Sequence, residues 1–290
     1  MIKGAAMDGG TPNGAQQWTL RGPARVPLTE PVARLRVSLI ASQLNVVGTD
    51  GPPRVEITRV GRRPLLMEHA GGVLTLRHEF SPHWSGLVSW RGFLWWLGGL
   101  GRRYQTDVSV AVPHETLAEL RVIAGSMVAS GLRADAALDM TSGRITLLGL
   151  DGTVSAKVVS GSIEALGVRG DLTMEAVSGE ITLADSAARR VHATAVSGAL
   201  TCDLDNAPGG DIRLETTSGE ITVRVREDSD LDVRLEATSG RVSSGFRELR
   251  PTEHRSMNTA RGTLGAGTGT LYASAVSGNI SLLARPVESA

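Results

Sequence analysis

The residues that most invite a chemical reading are serines. Each precedes a glycine in the same local frame: Ser142–Gly143, Ser160–Gly161, Ser178–Gly179, Ser197–Gly198, Ser218–Gly219, Ser239–Gly240 and Ser277–Gly278. A serine nucleophile needs an adjacent base that is itself oriented by a third group. The six histidines, at 69, 78, 83, 114, 192 and 254, keep no fixed relation to a Ser-Gly pair. The serines therefore read as an inward or corner column whose hydroxyls satisfy backbone groups.

Carboxylates are the next candidates. Glu175, Glu180, Glu215, Glu220 and Glu236, together with Arg144 and Arg241, fall at outward positions beside the pairs. Cleaving a sugar polymer takes two carboxyl groups about 5–10 Å apart on one face. Glu180 and Glu220 are two units apart, with Ala199 between them, so they do not make such a pair. A polysaccharide-active enzyme on a β-helix is the runner-up. No residue is assigned a catalytic, cofactor-binding or metal-ligating role.

Two further columns carry less chemistry. Thr146, Thr182, Thr201, Thr222, Ser243 and Ser281 line up after the glycines, interrupted by Glu164, and read as ordinary strand surface. Cys202 falls at an inward position and reads as a small core residue.

The densest local cluster is Trp90, Phe93, Trp95 and Trp96 followed by Arg102 and Arg103, inside a segment spanning 81–104. Aromatic rings beside cations suit a membrane interface, with the rings at headgroup level and the charges on anionic lipid. The leading reading, however, is that the segment folds back to cover an open end of the repeat stack, with a membrane or protein-partner contact second to it. Base stacking on nucleic acid is the weaker reading, because Lys+Arg and Asp+Glu both number 30 and the chain is formally neutral.

The elements that must hold these residues follow from the repeat. Successive Ser-Gly glycines are spaced 18, 18, 19, 21, 21 and 38 residues apart. Gly125 lies 18 before Gly143, with Ala124 in the serine's place. Around each pair the apolar residues alternate with period two, the mark of a strand. Leu172, Met174 and Ala176 lead to Ser178, and after Gly179 the parity flips to Ile181 and Leu183. Ile212 and Leu214 are likewise followed by Ile221, Val223 and Val225. A flip means an extra residue at a bend, where glycine accepts positive φ. Units this short bury an apolar face only by stacking. No proline occurs between Pro113 and Pro208, as central ladder strands require.

The expected fold is thus all-β: a β-solenoid of stacked two-strand repeats of 18–21 residues, wound as a single-stranded coil. Residues 1–30 read as a flexible tail and 31–114 as a strand section bearing the tryptophan-rich segment. Residues 115–285 read as the solenoid, with a loop or degenerate coil leaving it over 245–265. In the strand section, RLRVSLIASQLNVVG reads as a divergent first unit with Ser42 at the glycine position. One cysteine excludes an intrachain disulfide, and no run of about 18 apolar residues suits a membrane helix. Those features suggest a cytoplasmic chain, able to sit peripherally at the inner face of the membrane.

The repeated [VT]-S-G-x-[IL] units, with the upstream run TDVSVAVPHETLAELRVIAGSM, resemble the bacterial putative-adhesin family, a β-strand-repeat domain of unknown function, over about residues 33–285. The resemblance implies a β-solenoid without catalytic residues, in a family with members in cell-envelope stress responses. The expected role is a non-catalytic scaffold or binding module. Its expected partner is a protein or a membrane surface, and self-assembly through the solenoid ends is a third reading.

Overall fold

The computed structural model describes residues 5–8, 16–78, 104–205, 209–254 and 257–286, and these form strands and turns. The chain divides into two compact units, Met1–Thr141 and Ser142–Ala290. The sequence boundary at 114/115 lies inside the first unit, because strands on either side of it are already wound in register.

Unit 1 contains β1 (Ala5–Asp8), β2 (Gln16–Leu20), β3 (Ala24–Pro27), β4 (Arg34–Gly48), β5 (Arg54–Arg59), β6 (Leu65–Ala70), β7 (Val73–His78), β8 (Gln105–Val112) and β9 (Leu117–Ser130). The bent strand β4 is its axis. It pairs in parallel with all of β9, from Arg34↔Leu117 to Val47↔Ser130. Its first arm pairs with β7 and its second with β8, both parallel. Ser42 sits opposite Gly125, so it does occupy the glycine position of a first coil.

The outer edge of that coil is covered by antiparallel strands. β6 covers β7, β2 covers β6 and β1 covers β2. On the other arm β5 covers β8 and β3 covers β5. This corrects the tail assigned to residues 1–30: Trp18, Leu20, Val26 and Leu28 are buried. β2 and β3 carry little local signal because they are short and their partners β6 and β5 lie about thirty to fifty residues on in the chain. β3 ends in Pro27, which has no N–H to offer a further strand, a common way of blunting an edge.

β10 (Ala136–Leu148) carries the division between the units. Unit 2 continues with β11 (Asp151–Leu166), β12 (Arg169–Ser178), β13 (Ile181–Ser197), β14 (Leu200–Leu204), β15 (Asp211–Ser218), β16 (Ile221–Arg226), β17 (Leu231–Ser239), β18 (Val242–Ser244), β19 (Arg250–His254), β20 (Met257–Leu264), β21 (Gly269–Ser277) and β22 (Ile280–Arg285). Each coil has an arm before its glycine and an arm after it. Both arms bury the alternating residues read from sequence, among them Leu172, Met174, Ala176, Ile181, Leu183, Leu214, Val223, Ala273 and Leu282.

The spatial order of the coils departs from their order along the chain. β15 pairs not with β17 but with β21, in parallel, and β21 pairs in turn with β17. On the second arm β16 pairs with β22, and β22 with β18. The coil that ends the sequence is therefore inserted between two earlier ones. The 245–265 excursion is an antiparallel β19–β20 hairpin rather than a loop or degenerate coil, and β20 covers the outer edge of β17. β19 contains Pro251, which again blunts an edge.

Candidate functional site

The glycine corner shows why the repeat has its sequence. The corner glycines of unit 2 have φ between +133° and +156°. A Cβ on Gly179 would lie 1.6 Å from the carbonyl oxygen of Gly161, and one on Gly198 1.7 Å from that of Gly179. Both the conformation and the close stacking exclude a side chain. Corner N–H groups are satisfied by backbone: Gly179 donates to the Ser197 carbonyl at 2.9 Å, and Gly198 to the Ser218 carbonyl at 3.0 Å.

This corrects the role assigned to the serines. Ser160, Ser178, Ser197, Ser218, Ser239 and Ser277 are exposed at the corner, and Ser142 is half-buried. It is their carbonyls, not their hydroxyls, that accept the corner glycine N–H of the coil stacked before them. Immediately before them stand Val159, Val177, Val196 and Val276, each roughly half exposed. The signal for this apolar ridge was present in sequence, as a valine at an outward parity position in four VSG triplets.

Several outward carboxylates are held by cations. Lys157 Nζ lies 3.0 Å from Glu175, Arg144 Nε 3.4 Å from Glu164, and Arg190 2.7 Å from Asp171. The inserted coil builds the largest cluster. Tyr272, which sequence reading passed over, lies between Arg213 and Arg234, whose guanidinium carbons are 5.2 and 5.8 Å from its ring centre. Arg213 pairs with Glu215, and both Arg234 and Arg261 pair with Glu236 at 2.7 Å. Burial pushes the Glu236 carboxyl upward, but the hydrogen bonds and charge of Arg234 and Arg261 outweigh it and leave the group below its ordinary value. Glu236 is thereby held as an ionised partner of the two arginines.

Glu180 and Glu220 flank Ala199 on successive coils, as their spacing implied. Arg241 stacks beyond Asn279, whose side-chain oxygen accepts from the Arg241 N–H at 3.0 Å. The hydroxyl column becomes continuous over Thr182, Thr201, Thr222, Ser281 and Ser243, because the insertion places Ser281 before Ser243. Cys202 is a buried core thiol whose pKa burial pushes up to about 12.

The histidines remain dispersed. His192 faces Thr194 across 3.3 Å, and His114 contacts the Gly131 carbonyl and lies 3.6 Å from Asp50. His78 is different. It is buried at the end of β7, and its Nδ1 accepts the Ile40 N–H at 3.2 Å. That bond fixes the proton on Nε2, which donates to Thr106 Oγ1 at 2.9 Å, and Thr106 donates onward to the Tyr104 carbonyl at 3.1 Å. Tyr104 meets the imidazole edge-on, with ring centres 5.5 Å apart.

This network ties the two ends of the tryptophan-rich segment. On β4, Arg77 pairs with Ser38 and Gln105 pairs with Ala41. The chain thus leaves the first coil at its corner and re-enters it almost where it left. Trp90, Phe93, Trp95, Trp96, Arg102 and Arg103 themselves lie outside the described residues.

Comparison with known proteins bears on the family. No curated protein matches the chain. Among solved structures, a putative adhesin from Bacteroides fragilis is 11% identical, with 91% of this chain and 98% of that chain covered and a TM-score of 0.44. A putative adhesin from Parabacteroides distasonis is 13% identical over 90% of this chain and 98% of that one, with a TM-score of 0.36. A putative cell adhesion protein from Clostridium sporogenes is 11% identical over 91% and 100%, with a TM-score of 0.29. The Toastrack DUF4097 family model matches residues 54–283, from the covering strand β5 through the inserted coil. With the coiled strands, the corner glycines and most of its length inside that match, the chain belongs to the Toastrack DUF4097 family.

Proposed function

We propose that this chain is a non-catalytic binding module of the cell envelope, and that its coils present residues 79–103 to an anionic lipid surface at the inner face of the membrane. The observation that carries this reading is the root of the segment. Both ends meet at one corner and are joined by the Ile40–His78–Thr106–Tyr104 hydrogen bonds. These contacts close the coil between the described ends of β7 and β8. Its aromatic and arginine content, Trp90, Phe93, Trp95, Trp96, Arg102 and Arg103, suits a headgroup interface. The ion-paired state of Glu175, Glu215 and Glu236 supports the non-catalytic half of the proposal.

The test is co-sedimentation of the purified chain with anionic and with zwitterionic vesicles, beside the Trp95→Ala/Trp96→Ala variant. The chain is expected to pellet with anionic vesicles, the folded variant to remain in solution, and added salt to release the chain. A wild-type chain that stays in solution with both vesicle types would overturn the lipid reading. Loss of melting temperature in the variant would instead assign the two tryptophans to the folded core.

A further inference from the structure

The insertion of β21–β22 between β15/β16 and β17/β18 creates a choice that a sequential stack lacks. From Gly179 onward the coils share one stacking pattern. Gly219 N–H donates to the Ser277 carbonyl at 3.0 Å, and Gly278 N–H to the Ser239 carbonyl at 2.9 Å. Ile221 N–H donates to Asn279, and Ile280 N–H to Arg241. With β21–β22 withdrawn, Ser239 and Arg241 carry the carbonyls that Gly219 and Ile221 need, in the same frame. The buried residues match as well, with Ile212 and Leu214 facing Leu271 and Ala273, which in turn face Val233 and Leu235. The β17/β18 coil can therefore stack directly on β15/β16, leaving the last coil outside.

The connection to the last coil is built to swing. β20 and β21 flank opposite edges of β17, with Leu264 and Gly269 both paired to Leu231. The intervening turn, 265–268, holds Gly265 and Gly267 at φ of +54° and +63°. It is held by Asp230, whose Oδ1 accepts the Ala266 N–H at 2.6 Å. Short hinges between paired elements are where protomers exchange identical segments.

We propose that β21–β22 is an exchangeable coil, and that a second copy of this chain donates its own β21–β22 into the slot between β15/β16 and β17/β18. The slot selects this chain's coil over any other strand by contacts outside the common pattern. Tyr272 fits between Arg213 and Arg234, Thr270 Oγ1 donates to Asp211 at 2.7 Å, and Arg285 reaches Asp203 at 3.2 Å and also contacts Asp205. Exchange would join copies through their interiors, independently of the lipid contact proposed above and of end-to-end stacking.

The experiment mixes two full-length chains with different tags, one carrying Ser218→Cys and the other Ser277→Cys. These exposed serines pair directly across the slot. Buried Cys202 does not compete, since burial keeps its thiol protonated. After incubation at high concentration and oxidation, disulfide heterodimers are expected to accumulate with incubation time. A parallel mixture of Ser160→Cys and Ser178→Cys chains, paired within coils that do not exchange, is expected to form few. Placing Ser218→Cys and Ser277→Cys in one chain establishes that the two cysteines can bond, and locks the coil in place. Equal heterodimer in both mixtures would overturn the proposal. So would its absence from the slot mixture when the double variant forms the bond within its own chain.

Discussion

The corners of the two units are written in related sequence but tolerate different things. In unit 2 a Cβ at Gly161, Gly179, Gly198, Gly219 or Gly278 would fall within 1.6–1.9 Å of the carbonyl oxygen of the coil it stacks on. In unit 1 Gly125 on β9 meets the same limit, 1.9 Å from the Ser42 carbonyl oxygen, but Ser42 itself, at the equivalent place on β4, has no positive φ, and β7 and β8 pair with successive stretches of β4 around it. One corner is closed by repetition of backbone, the other by a side-chain network of His78 and Thr106. The difference teaches that the glycine belongs to the stacked, positive-φ corner and not to the turn as such.

The sharpest way to break the comparison is a single methyl group. Gly179→Ala is expected to cost more than about 4 kcal/mol, enough to prevent unit 2 from folding, because φ is unfavourable and the Cβ meets backbone that cannot move aside. Gly71→Ala also sits at positive φ, but nothing lies within 4 Å, and it should cost only about 1 kcal/mol. Denaturant titration of the two variants measures the gap. If both cost the same, stacking is not what selects glycine.

The side-chain closure of unit 1 should respond to acid, whereas the backbone closure of unit 2 should not. Burial lowers the His78 pKa from about 6.5 to about 4. The unfolded chain then binds this proton at higher pH than the folded chain does. Stability from this group is thus fully present above pH 6.5 and is lost as pH falls toward 4, by up to about 3 kcal/mol. Melting temperature followed from pH 7 to pH 4 should fall less steeply in His78→Gln than in wild type.

Smaller effects refine the picture of the stack. Thr216 takes a place filled by Ala176, Ala195, Ala275 and Ala237 in other coils, and its buried Oγ1 has no hydrogen-bond partner. Thr216→Val keeps the shape, removes that hydroxyl and should stabilise unit 2 by about 1 kcal/mol in thermal denaturation. Ser178→Ala should change stability by no more than about 0.5 kcal/mol, since the exposed hydroxyl supports neither the corner nor a reaction. A large loss in that variant would restore a structural role to the serine column.

The solenoid itself was legible in the sequence because two local signals coincide in every unit: alternation, and its parity flip at glycine. Leu172, Met174 and Ala176 before Gly179, with Ile181 and Leu183 after it, are all buried as that pattern requires. What was not legible depends on partners far apart in the chain. β2 is read as a strand only once β6 is beside it, and His78 and Thr106 are separated by 28 positions. Coil order was hidden for the opposite reason. Gly219, Gly240 and Gly278 carry the same corner signature, so spacing alone does not say which stacks on which. Tyr272 marks the choice, but only when Arg213 and Arg234 are seen on either side of it.

Paired cysteines in a single chain report that coil order directly. Adjacent strands lie about 4.8 Å apart and coils two steps apart about twice that, while a disulfide bridges Cα atoms no more than about 7 Å apart. Ser218→Cys/Ser277→Cys and Ser239→Cys/Ser277→Cys are each expected to form an intrachain bond rapidly on mild oxidation of dilute protein, and Ser218→Cys/Ser239→Cys is not. Rapid bonding in the 218/239 variant, with 239/277 slow, would contradict that order and return the last coil to the end of the stack.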